Sequence, residues 1–207
     1  GEAKPWNAKG LFVAGQYTFD SLINIAHKMD GAIFMFNGED DAFQNIMRRF
    51  LKGDENMVND VMWALPHHSA SDGKCNYITT QTGFTLWDLV SYDCKHNEAN
   101  GENNTDGPDY NYSWNCGAEG PSRKRAVMTL RKNQVRNAFA LLLLAQGTPC
   151  ILAGDEFYNS QKGNNNVYCQ DNETGWVDWS KLKTDDTLFH YVRELIAFRK
   201  KHPCLHR

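Results

Sequence analysis

Ala138-Phe139-Ala140-Leu141-Leu142-Leu143-Leu144-Ala145-Gln146-Gly147-Thr148-Pro149-Cys150-Ile151-Leu152-Ala153 holds two signals in succession. Read back from Gln146 to Arg123, Met128, Val135, Phe139 and Leu142 fall on one helical face, and Gly147 supplies a stop. The last two turns are apolar all round, which predicts a deeply buried helix end. Cys150 to Ala153 then reads as a short buried strand. A long helix feeding a short apolar strand is the repeating unit of a parallel α/β fold.

The alternation continues outward. Ala32 to Phe36 is a candidate strand between Gly31 and Gly38. Phe43, Ile46, Met47 and Phe50 define a helix stopped by Gly53. Val58, Val61, Met62 and Leu65 define another over Asn56 to Leu65, ended by Pro66. Tyr77 to Thr79 reads as a strand. Thr187 to Lys201 reads as a helix with Leu188, Val192, Leu195 and Phe198 inward and a basic C-terminus that suits the dipole. Two polar stretches, 93–121 and 154–179, lack periodicity; loops this long are usually functional. Of Arg48 and Arg49, one is expected to pair with a loop carboxylate, and His67-His68 reads as solvated loop.

Composition narrows the function classes. The 207 residues carry 22 Lys+Arg and 25 Asp+Glu, a net charge of −3. That balance lacks the basic field that nucleic acid or an anionic membrane surface requires. The longest apolar run, Ala138 to Ala145, is far short of the roughly 20 residues of a membrane span. With no leader pattern at the start, the reading is a cytoplasmic protein of one domain. The six cysteines make no CxxC pair, so no metal site is expected and structural thiols are favoured over disulfides. No cofactor motif is present. Triplets of glycosylation type at Asn103, Asn111 and Asn172 are read as chance matches in an Asn-rich chain.

Two strings carry the chemistry. The first runs Gly83-Phe84-Thr85-Leu86-Trp87-Asp88-Leu89-Val90-Ser91-Tyr92, then His96-Asn97-Glu98-Ala99-Asn100-Gly101-Glu102-Asn103-Asn104. The second runs Leu152-Ala153-Gly154-Asp155-Glu156-Phe157, then Gly163-Asn164-Asn165-Asn166, Tyr168-Cys169-Gln170-Asp171-Asn172-Glu173 and Trp176-Val177-Asp178-Trp179. In order and wording they resemble the glycogen debranching enzyme and isoamylase branch of the α-amylase superfamily, from about Arg48 to His202. The resemblance implies a partial (β/α)8 barrel covering the fifth to eighth units, with a rearranged N-terminal segment. It also implies α-1,6 branch-point hydrolysis by a retaining pair of carboxyl groups, with a third carboxylate holding the distorted sugar.

The catalytic positions depart from that pattern. The nucleophile of the resembled family lies on the fourth strand, outside this chain. Its fifth strand ends Ala-Glu-Pro-Trp, where Glu is the general acid; here the chain reads Ala3-Lys4-Pro5-Trp6. An ammonium with pKa about 10.4 is badly matched to that role. Glu2 would face the same side of a strand but sit roughly 6.6 Å away. The family's His-Asp-Gly before Phe-Thr-Leu appears as Gln81-Thr82-Gly83, so an amide replaces the sugar-binding imidazole and a hydroxyl replaces the stabilising carboxylate. Phe43-Gln44-Asn45 stands where the family has Tyr-Arg-Asp, and residues 17–40 do not resemble it. The reading is a debranching homologue inactive by itself, with a non-catalytic α-glucan-binding protein or oligomeric scaffold as alternative.

Candidate substrate contacts are Trp6, Trp114, Asp155, Glu156, Asn164, Asn165, Asn166, Tyr168 and Trp176. An aromatic face covers the C–H face of a sugar, although Trp, Trp87 above all, is usually core. Asp155 and Glu156 either touch substrate or anchor their loop, the second being favoured. The three asparagines either bond sugar hydroxyls or satisfy backbone. The partners expected are an α-glucan oligosaccharide and a second copy of the chain, because half a barrel leaves strand edges that a dimer would cover.

Overall fold

The helix expected before Gly147 spans Arg125–Leu144 in the computed structural model. The structure describes residues 42–66 and 75–205, which fall within one compact unit, Gly38–Arg207. The described elements are α1 (Ala42–Lys52), α2 (Val58–Ala64), β1 (Cys75–Asn76), α3 (Leu86–Leu89), α4 (Arg125–Leu144), β2 (Thr148–Pro149), α5 (Ser180–Thr184) and α6 (Thr187–Lys201). Helix α4 packs against α1, α3 and α6. The strand expected at Ala32 to Phe36, residues 17–40, Lys4, Trp6 and His67-His68 lie outside the described residues.

The strands are shorter than the sequence reading and start earlier. β1 and β2 pair in parallel, Cys75 opposite Thr148 and Asn76 opposite Pro149. Tyr77, Ile78 and Thr79 are buried as expected but leave the ladder. Among the described residues the Ile78 carbonyl is taken by side chains rather than by a strand: it accepts Arg48 Nε at 2.8 Å and Gln44 Nε2 at 3.1 Å. Cys150 to Ala153 likewise follows the strand; the Cys150 N–H reaches across, to Asn76 O at 2.7 Å. Pro149 has no N–H to extend the ladder. Parallel pairing through a crossover that contains α4 agrees with a partial amylase-type α/β domain, and among the described residues helix predominates.

Three helix faces differ from the periodic reading, and in α1 and α6 the cause is an arginine that goes inward. In α1 the buried stripe is Gln44, Met47, Arg48 and Leu51, and Phe50 turns outward. Arg49, its neighbour, pairs with Asp54 at 3.1 Å. In α2 Val61 and Ala64 are buried while Val58 and Met62 are exposed. In α6 Leu188 and Val192 are buried as expected, but Phe198 is exposed and stacks on His202 at 4.0 Å. Arg199 takes the inward position and donates to the carbonyls of Leu143 at 2.7 Å, Ala145 at 2.6 Å and Gly147. These are the last acceptors of α4 and its exit, which a helix leaves without partners. Leu142 and Leu143 are buried there, but Leu144 is exposed, so the apolar end is not covered all round.

Arg131 plays the same part at the other end. It is 1% exposed within α4 and donates to the carbonyls of Gly120 at 2.7 Å, Asn115 at 3.0 Å and Ala118. It thereby ties the 93–121 loop to the helix core. Cys94, Cys116, Cys169 and Cys204 are free thiols.

Candidate functional site

The strip from Thr79 to Leu86 positions Gln81 and Thr82, whose side chains are exposed. Thr80 Oγ1 lies 3.2 Å from Thr82 Oγ1 and donates to the Thr82 carbonyl at 3.1 Å, closing the turn with hydroxyls. Asp155 holds both ends of the strip: it accepts the Thr79 hydroxyl on one oxygen and the Leu86 N–H at 2.8 Å on the other. Burial pushes its carboxyl up to about 7, and the nearby Glu156 and Asp88 charges act in the same direction. Glu156, half-buried, accepts the Gly154 N–H at 2.9 Å.

Leu86 opens α3, which Thr85 caps by accepting the Asp88 N–H at 3.2 Å. The Asp88 carboxylate, fully buried, accepts the Ser160 hydroxyl at 2.5 Å and the Gln161 N–H at 2.7 Å. Burial raises its pKa, opposed by those hydrogen bonds. The loop after β2 is thus pinned to the 79–91 segment by two buried acids. Gly163 seals the contact: its φ is +81°, and a Cβ there would stand 2.8 Å from the Tyr92 ring.

An amide hub follows. Asn165 is buried; its side chain donates to Pro108 O at 2.8 Å and to Asn111 Oδ1 at 3.0 Å, and accepts from Asn97 Nδ2 at 2.8 Å. Its N–H donates to Asn97 Oδ1 at 2.9 Å, and its carbonyl accepts the Gly83 N–H at 3.0 Å. Asn164 Nδ2 donates to Asn100 Oδ1 at 2.8 Å, and Asn166 Nδ2 to Asp106 Oδ2 at 2.9 Å. Hydrogen bonds from Asn100 and Asn166 hold the Asp106 carboxyl below the usual range, against the opposing effect of burial. The two long loops are therefore one hydrogen-bonded body, and Gly83 fastens the Gln81–Thr82 turn to it.

The aromatic candidates divide. Trp114 is half-buried and packs on the core, its backbone N–H donating to Leu89 O at 3.0 Å. Trp87 meets Tyr158 edge-on at 5.0 Å. Tyr168 and Trp176 are 66% and 58% exposed. Each is held by a carboxylate: the Tyr168 hydroxyl donates to Glu102 at 2.5 Å and the Trp176 indole N–H to Asp171 at 3.0 Å. The Glu102 hydrogen bond pushes the Tyr168 phenol up to about 12. His96 directs its ring at Glu119, 3.2 Å away.

Chemically, the exposed surface offers amides, hydroxyls and oriented rings, groups that bind polyhydroxyl compounds. Asp88 and Asp155 are engaged by neighbouring donors.

No family model matches the chain. It is 52% identical over 132 residues to the "Glycogen operon protein GlgX homolog" of Mycobacterium tuberculosis, which covers 64% of this chain and 18% of that protein. It is 37% identical over 210 residues to "Isoamylase 1, chloroplastic" of Arabidopsis thaliana, covering 95% of this chain and 24% of that one. The chain is a relative of the glycogen debranching enzymes and isoamylases. It spans 18% to 24% of the length of those two curated relatives. Among solved structures, a pullulanase of Anoxybacillus sp. LM18-11 complexed with maltotetraose matches 81% of this chain and 22% of its own, with TM-score 0.59 and 24% identity. That likeness concerns the fold.

Within this debranching-type relative, Asp88, Asn97, Asn100, Glu102 and Arg131 hold the loops together, roles that the residue pattern by itself does not assign. Asp88 carried a usable signal, an acid inside the apolar stretch Phe84 to Val90. Arg131 carried a similar one, a cation on the apolar face of α4. Glu102 carried none, because its partner is 66 residues away.

Proposed function

We propose that this chain binds α-glucan and does not by itself hydrolyse it. In this reading it corresponds to the fifth to eighth units of a debranching-type barrel acting on α-1,6-branched glycogen or starch. The observation that carries it is the Gly83 N–H to Asn165 O hydrogen bond, 3.0 Å. It joins the Gln81–Thr82 turn to the loop body that bears Tyr168 and Trp176. In this reading the loop body supplies the binding surface and the turn is the former catalytic position. Support for the ligand class comes from relatives named as glycogen debranching enzyme and isoamylase, and from a fold neighbour complexed with maltotetraose.

The chemistry of the replaced residues supports the second half of the reading. A retaining glycosidase needs two carboxyl groups about 5–5.5 Å apart flanking the bond. Lys4 stands at the general-acid position of the resembled family, Thr82 at the stabilising-Asp position and Gln81 at the sugar-binding His position. None can carry negative charge to an oxocarbenium-like centre. Asn164, Asn165, Asn166, Asp155 and Glu156 act in this reading as the frame, and Tyr168 and Trp176 as the stacking surface.

The test is electrophoresis through a glycogen-containing native gel, paired with a reducing-end assay on the same glucan. Retardation without new reducing ends is expected. New reducing ends would overturn the inactivity, and an unretarded band would overturn the binding. The same reading pairs the chain with a second copy across the short β1–β2 sheet; light scattering is expected to give a dimer, and a monomer at micromolar concentration would contradict it.

A further inference from the structure

Tyr110 belongs to the 93–121 segment, not to the loop carrying Tyr168 and Trp176, and its side chain is 63% exposed. Two contacts hold its ring in place. Tyr112 meets it edge-on with centroids 4.6 Å apart. Lys52 Nζ donates to its hydroxyl at 3.2 Å. Lys52 is fixed in turn by Asp54 at 2.9 Å, which also takes Arg49 at 3.1 Å. The backbone on both sides is anchored, because Pro108 O and Asn111 Oδ1 both accept from Asn165 Nδ2. An exposed ring is thus presented rigidly, beside two cations and a carboxylate. A rigid ring loses little conformational freedom on binding.

We infer that Tyr110, backed by Tyr112 and Lys52, is a second α-glucan contact, so that the chain discriminates long glucans from short ones. This rests on the α-glucan reading above. The C–H face of a glucose residue covers an aromatic ring, and its hydroxyl rim meets the Lys52, Arg49 and Asp54 groups. Two stacking surfaces on different loops, locked into one body by Asn165, bind a long chain bivalently. A trisaccharide engages one of them at a time.

Titration calorimetry of the whole chain tests this with maltotriose and with amylopectin, comparing wild type, Tyr110→Ala, Tyr110→Phe and Trp176→Ala. Tyr110→Ala is expected to weaken amylopectin binding about tenfold and leave maltotriose binding within about twofold. Tyr110→Phe keeps the ring and is expected to bind like wild type. Near-identical circular dichroism melts show that the variants are folded, as the exposure of Tyr110 predicts. Wild-type amylopectin affinity in Tyr110→Ala, with loss in Trp176→Ala, would overturn the second contact and leave the α-glucan reading standing. Equal losses for both sugars in Tyr110→Ala would overturn the length discrimination. No binding of either sugar by wild type would remove the reading and this inference together.

Discussion

Helices α4 and α6 and the paired loops 93–121 and 154–179 are held together by different physics. The helices meet through apolar burial, Val135, Phe139 and Leu142 on one side and Leu188 and Val192 on the other. The loops have few apolar contacts to offer and are held by amide and carboxylate side chains satisfying each other across long sequence separations. The two meet at the buried arginines. Arg131 and Arg199 sit on helices, yet their guanidinium groups serve loop and helix-end carbonyls. The lesson is that a scaffold can be apolar while the surface it presents is set by directional bonds.

Removing the join should have the largest effect. Arg131→Ala leaves several buried carbonyls without a donor and is expected to cost about 3–5 kcal/mol in urea unfolding. A loss under about 1 kcal/mol would mean that water replaces the guanidinium. Next comes Asn165→Ala, which removes three side-chain hydrogen bonds and is expected to cost about 2–3 kcal/mol. Limited proteolysis should then cut the 93–121 loop first while the helical signal persists. Simultaneous loss of both would show that loops and helices form one cooperative unit.

The third prediction is a pH dependence. Asp155, pushed up to about 7 in the folded chain against 3.8 ordinarily, holds a proton in the folded state that the unfolded chain has lost. Its contribution therefore favours folding at low pH and is lost as pH rises through about 7. Asp88, also raised by burial, acts in the same direction. Going from pH 8 to pH 6 should add about 1.4 kcal/mol relative to Asp155→Asn. Toward acid the trend reverses as carboxylates held low, Asp185 at about 2 among them, are protonated. Identical profiles for wild type and Asp155→Asn between pH 6 and 8 would show that the Thr79 and Leu86 donors keep Asp155 ionised.

The smallest effect on stability falls on the binding surface itself. Trp176→Ala should change unfolding free energy by less than about 0.5 kcal/mol, because the ring is exposed. Its glucan affinity should drop nonetheless. A large stability loss would make Trp176 a structural residue.

The same division governed what the sequence disclosed. The bounds of α6 are those its periodicity predicts, α1 ends at the Gly53 stop, and α4 is two residues shorter at each end. Periodicity failed at Phe50, Phe198 and Val58, where inward polar residues or a short helix rotated the face. The strands were misplaced because the Ile78 carbonyl is taken by Arg48, a pairing across 30 residues that no local pattern encodes. In the loops the asparagines were recognised as a motif. Their pairing with Asn97, Asn100 and Asp106 was not, since a polar side chain carries no period and its partner is chosen by three-dimensional proximity. Asp155 was read as an anchor because an acid after a tight glycine turn readily finds N–H donors, but its joint hold on Thr79 and Leu86 needed the fold.

Isothermal titration calorimetry with a branched malto-oligosaccharide tests the central claim most directly. Saturable heats that return to baseline after each injection are predicted, the signature of binding without turnover. A sustained baseline displacement would mean hydrolysis and would contradict the roles given to Lys4, Gln81 and Thr82. An absence of heat at two temperatures would contradict glucan binding itself.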